Sequence, residues 1–93
     1  KKVEEKPADL KVYTSGEIME GMKNDAANVG FDKSVLSTLD NMMTGNTALK
    51  ALYFDHKINM IGTGSFKNCT SLEAVYFDDV VEVIGDDAFA GCT

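Results

Sequence analysis

One stretch of this chain is written twice. Leu49-Lys50-Ala51-Leu52-Tyr53-Phe54-Asp55 aligns with Leu72-Glu73-Ala74-Val75-Tyr76-Phe77-Asp78. Ile61-Gly62 aligns with Ile84-Gly85, Phe66 with Phe89, and Cys69-Thr70 with Cys92-Thr93. Every pair shares one offset of about 23 residues, the range of stacked repeat architectures. A unit of that length cannot bury its apolar face alone, so neighbouring copies must stack.

The chemistry of one unit follows from its alternation. Leu49, Leu52 and Phe54 have the spacing of an inward strand set, repeated by Leu72, Val75 and Phe77. Lys50 and Tyr53, then Glu73 and Tyr76, face the opposite surface. A second short strand runs from Ile58 to Ile61 and from Val81 to Ile84. Gly62 and Gly85 follow it, where a side chain would crowd the neighbouring coil or φ must be positive. "TGSFKNC" and "DDAFAGC" then read as a single helical turn that points Phe66 and Phe89 inward. Stacking sets equivalent residues about 4.8 Å apart.

The N-terminal half reads differently. Residues 1–9 are charged, hold Pro7, the only proline, and read as a linker or frayed terminus. Leu10 to Tyr13 alternates like a short strand. Thr14 and Glu17 have capping-box spacing, followed by a helix with Ile18, Met19 and Met22 on its apolar face and Gly21 weakening it. A second helix is expected over residues 33–44. Asp32 would cap it, Phe31 and Leu36 would staple it, and Val35, Leu36, Leu39, Met42 and Met43 would form its stripe. Its end is a degenerate repeat, since Met43, Asn46 and Thr47 align with Phe66, Cys69 and Thr70. Residues 10–48 therefore read as a helical N-terminal cap, followed by repeats 49–71 and 72–93. The second repeat halts before a Ser-Leu closes it, which predicts a truncated array. Its last coil would present Phe77, Ile84, Phe89 and Cys92 and self-associate through that open edge.

Leu72 to Thr93, "LEAVYFDDVVEVIGDDAFAGCT", resembles the BspA-type leucine-rich repeat, and Leu49 to Ser71 matches with Ser65 for Ala and Asn68 for Gly. The resemblance implies an α/β, right-handed leucine-rich-repeat solenoid with a short parallel sheet, to which the N-terminal half adds its helical N-terminal cap. It also implies a cell-surface or secreted protein that adheres to a host or microbial protein or glycoprotein ligand, with no catalytic residues and no cofactor.

Composition narrows the partners. A formal net charge of −6, with all nine basic residues lysine, excludes the basic patch that nucleic acid or an anionic membrane requires. No apolar run is long enough to span a bilayer.

Candidate contact residues are Tyr53, Tyr76, Lys50 and Glu73, because tyrosine anchors many interfaces and the two rings would stack on the outward face. Lys50 and Glu73 would form a cross-strand pair. Cys69 and Cys92 stack at a separation that permits a disulfide, but two buried thiols are the simpler reading, and no further zinc ligands lie nearby. Asp55, Asp78, Asp79, Asp86 and Asp87 lack a calcium-loop pattern and read as solvated turn carboxylates. His56 stands without a nucleophile beside it. Asn68-Cys69-Thr70 fits the glycosylation acceptor pattern in a packed, poorly accessible turn. The rival readings are a structural spacer and an accessory module of a secreted enzyme.

Overall fold

The computed structural model describes residues 8–20, 26–77 and 79–92. The expectations placed on residues 1–7, on Gly21 and Met22, and on Asp78 and Thr93 lie outside these. The elements follow in the order β1 (Lys11–Tyr13), α1 (Ser15–Glu20), β2 (Asn28–Phe31), β3 (Ala51–Phe54), β4 (Ile58–Ile61), β5 (Ala74–Phe77) and β6 (Val81–Ile84).

Two parallel sheets result. One has the order β1-β2-β3-β5 and the other pairs β4 with β6. Asn28, Ala51 and Ala74 share a register, as do Val29, Leu52 and Val75. The steps are again about 23 residues, so residues 26–48 are a complete coil rather than the end of one. Phe31, Phe54 and Phe77 stack inside at centroid distances of 5.2 and 5.3 Å, and Phe66 stacks on Phe89 at 5.5 Å. Val29, Leu49, Leu52, Ile58, Ile61 and Cys69 complete a fully buried column.

The third side of each coil is a ladder of turns. Within the middle coil, the amides of Ser65, Lys67 and Cys69 donate to the carbonyls of Gly62, Gly64 and Phe66. The alternate amides, of Gly64, Phe66 and Asn68, donate to Asp86, Ala88 and Ala90 of the next coil. The first coil repeats this, with Asn41, Met43 and Gly45 donating to Thr63, Ser65 and Lys67. Each coil carries two left-handed residues at matched places, Asn41, Gly64 and Asp87, then Gly45, Asn68 and Gly91. A helix cannot accommodate such residues every few positions. This corrects the single helical turn expected at residues 63–69 and 86–92.

The same ladder overturns the helix expected over residues 33–44. No helix forms there. Val35 and Met43 are buried, but Leu36 and Leu39 are 52% and 43% exposed. Phe31 lies in β2 and forms no staple with Leu36. Asp32 Oδ1 instead accepts the Ser34 amide at 2.9 Å and closes a turn. The adjoining coil supplies hydrogen bonds that a lone helix would have to make internally, as where Thr38 N–H reaches the Met60 carbonyl at 3.1 Å.

β1 and the capping box stand where expected. The Thr14 amide donates to Glu17 Oε1 at 3.0 Å, and the Glu17 amide donates to Thr14 Oγ1 at 3.2 Å. The Thr14 amide, with Lys11 nearby, holds the Glu17 carboxyl below its usual range. Ile18 is buried, whereas Met19 faces solvent.

Two hydroxyls, of Thr38 and Ser65, are buried in the core, and the Asn46 Nδ2 is buried without a hydrogen-bond partner among the described residues. Gly62 N–H donates to Thr38 Oγ1, which lies 2.9 Å from Ser65 Oγ, and Ser65 Oγ reaches the Leu39 carbonyl at 2.7 Å. The chain of donors closes, so neither buried hydroxyl is left unpaired. On the last coil, Ile84 is 55% exposed where its equivalent Ile61 is fully buried. Phe77, Phe89 and Cys92 are half-buried.

Candidate binding face

The outward positions of the larger sheet align as Val12, Gly30, Tyr53 and Tyr76. The rings of Tyr53 and Tyr76 stack at 4.9 Å with 15° between planes. That distance is one strand spacing, so the sheet itself sets the aromatic step. Tyr53 is half-buried and Tyr76 is 38% exposed. Burial, then neighbouring Tyr76 and Asp9, push the Tyr53 hydroxyl above its usual value.

Lys50 and Glu73 are both exposed beside the rings. Their backbones meet where Glu73 N–H donates to the Lys50 carbonyl at 2.8 Å, but their side chains form no ion pair, contrary to expectation. Two long exposed side chains gain little from pairing. The charge pair between these coils is instead Lys57 with Glu82, at 3.2 Å.

Gly30 marks a place that sequence reasoning missed. It stands where Tyr53 and Tyr76 stand in the following coils and has no side chain to continue the stack. A cavity of about 200 Å³ opens there, lined by Leu10, Val12, Gly30, Tyr53, Asp32 and Asp55, with Phe31 and Lys33 also at its wall. The signal was available, since Gly30 precedes Phe31 as Tyr53 precedes Phe54.

The other candidates are structural in their surroundings. His56 Nε2 lies 2.6 Å from the Val35 carbonyl and Nδ1 lies 3.1 Å from Asp55 Oδ1, so the ring ties two coils together. Among the described residues, no three histidine, cysteine, aspartate or glutamate side chains gather as a metal site. Asn68 is exposed, not packed away, with left-handed backbone. No helix among the described residues is long and apolar enough to cross a membrane.

Cys69 and Cys92 are free thiols. Their sulfurs donate to the Met43 and Phe66 carbonyls of the preceding coils, at 3.2 and 3.1 Å. Asn46 occupies the same rung in the first coil, and its Oδ1 accepts the Ala48 amide at 3.0 Å. Burial pushes the Cys69 thiol from an ordinary 9.0 up to about 11. The folded chain therefore holds this proton more tightly than the unfolded chain. Its stabilising contribution is complete below pH 9 and is lost as pH rises toward about 11. Urea unfolding across that window is expected to show a loss of about 1–3 kcal/mol that Cys69→Ala lacks. Tyr53 shifts the curve the same way in both proteins, so the difference between them carries the test. Parallel pH curves would refute the assignment.

A family model described as the BspA type leucine rich repeat region (6 copies) matches residues 16–93. The match starts inside α1 and runs through all three coils. No curated protein and no solved structure matches the chain.

Proposed function

The chain belongs to the BspA-type leucine-rich repeat family, and from that premise we propose that it is a non-enzymatic adhesion module of a cell-surface or secreted protein. It binds a protein or glycoprotein ligand through the outward strand face, with Tyr53 and Tyr76 as anchors and Lys50 and Glu73 beside them. One observation supports this most directly. Two tyrosine rings stand stacked and accessible at a spacing fixed by backbone hydrogen bonds, so little side-chain entropy remains to be lost on contact. Many copies of one modest contact surface multiply into firm attachment by effective concentration.

The chain displayed in several copies on beads is titrated against a panel of immobilised matrix glycoproteins. Saturable binding that falls at least tenfold in the Tyr53→Ser/Tyr76→Ser variant is the expected result. Binding unchanged by that variant would move the contact off this face. No binding by either protein would favour the spacer reading.

A further inference from the structure

We propose that the gap above Gly30 is a receptor for one aromatic side chain of a protein partner, presented next to a lysine or arginine. This rests on the protein-binding reading of the strand face and deepens it to a partner chemistry. The outward ladder runs Val12, Gly30, Tyr53, Tyr76. Tyr76 covers one face of the Tyr53 ring. The other face is turned toward Gly30, where the chain supplies no ring of its own. Val12 and Tyr53 are two strand spacings apart, about 9–10 Å. That leaves room for one flat group with van der Waals contact on both sides.

Size selects the occupant. The cavity holds about 200 Å³. A cavity of about 150 Å³ takes benzene, whereas pockets for larger ligands run from about 300 Å³ upward. One ring fits, and an extended sugar chain or a fused cofactor does not. Leu10, Val12, Gly30 and the Tyr53 ring supply the apolar part of its lining. Leu10 closes one side of the space over Gly30, its methyls 3.5 Å from where a Gly30 Cβ would sit.

Charge selects what stands beside the ring. Asp32 and Asp55 line the cavity against the single Lys33. Asp32 commits Oδ1 to the Ser34 amide and hydroxyl, and none of the described residues bonds its Oδ2. Asp9 lies near enough to influence the Tyr53 hydroxyl. The whole chain carries −6. A cationic neighbour is therefore attracted, and an acidic one is repelled.

The test uses the absence of tryptophan from this chain. An indole in a short peptide is then the sole tryptophan emitter. Acetyl-Lys-Trp-Lys-amide is expected to show saturable, blue-shifted emission with the native chain, at a Kd on the order of 1 mM. Acetyl-Glu-Trp-Glu-amide is expected to bind at least fivefold more weakly.

Gly30→Tyr fills the gap with the chain's own ring and is expected to abolish the signal. Gly30→Ala places a methyl at ordinary contact distance, 3.5 Å from Leu10, and is expected to fold normally, so that any loss in Gly30→Tyr is read against a folded chain with a smaller intrusion into the same gap. Asp32→Asn keeps the acceptor for Ser34 and is expected to weaken the basic peptide two- to threefold. Equal affinity for the two peptides would overturn the charge argument. An undiminished signal in a folded Gly30→Tyr chain would overturn the site. On the glycoprotein beads, loss through the tyrosine variant without loss through Gly30→Tyr would overturn the receptor and leave the face. Loss through neither would remove both.

Discussion

Replacing Phe54 by alanine is expected to cost about 3–5 kcal/mol, the largest loss available from one core side chain. Phe54 is 1% exposed and lies at the centre of the inner ladder. Its ring stacks on Phe31 at 5.2 Å and on Phe77 at 5.3 Å, and meets the edge of Phe66 at 6.5 Å. Alanine leaves a void between two coils that backbone hydrogen bonds hold at fixed separation, so the site cannot collapse to fill it. The total stability of a domain this size is about 5–15 kcal/mol, so the loss consumes a large part of it. Phe77→Ala removes the same ring from the half-buried end of the ladder and is expected to cost about half as much. The position in the stack, not the residue type, sets the difference. Urea unfolding followed by far-UV circular dichroism measures both. Equal losses would mean that the coils do not couple through this ladder.

Coupling through neighbours also decides how much of the fold the sequence reveals by itself. The middle and last coils are legible because alternation and repetition agree. Leu52 and Phe54 point inward, and Val75 and Phe77 do so one period later. The first coil is not legible, for a physical reason. Val35, Leu36, Leu39, Met42 and Met43 have helical spacing, but spacing describes a segment that must satisfy its own amides. Here the second coil satisfies them, and the left-handed Asn41 and Gly45 bend the chain out of any helix. Alignment with the middle and last coils is the better guide. Val35 falls on Ile58 and Val81, and Met43 falls on Phe66 and Phe89.

The binding face divides in the same way. Tyr53 and Tyr76 can be placed outward from alternation alone, and they stack as the period requires. The Gly30 gap is invisible as long as Phe31 reads as the staple of a helix over residues 33–44. A missing ring is recognisable only after the register that should contain it is known. Lys50 and Glu73 show the reverse error. Register brings their backbones together, but nothing in register makes long solvated side chains pair.

Gly62→Ala is the second large effect expected, about 2–4 kcal/mol, and it separates two reasons for a glycine in this fold. Gly62 does not have positive φ. A Cβ there would lie 2.7 Å from the Thr38 carbonyl oxygen and 2.8 Å from the Asp40 amide nitrogen, both backbone atoms of the coil in front. No rotamer change relieves that overlap, so the coils must part. Parting them strains the bonds from Gly62 N–H to Thr38 Oγ1 and from Thr63 N–H to Asp40 Oδ1, each 2.9 Å long. Gly45 is the opposite case, with φ of +77° and open space where a Cβ would go. Gly45→Ala is expected to cost about 1 kcal/mol from backbone conformation alone. The first coil has Leu39 where the second has Gly62, and that leucine is 43% exposed. The glycine is thus required by stacking, not by the turn. Hydrogen exchange distinguishes the mechanisms. Gly62→Ala is expected to speed exchange at Thr38 and Thr63 on both sides of the junction, and Gly45→Ala is expected to leave them protected. A Gly62→Ala chain as stable as Gly45→Ala would mean that the coils are not held at the spacing that sets the Tyr53–Tyr76 stack.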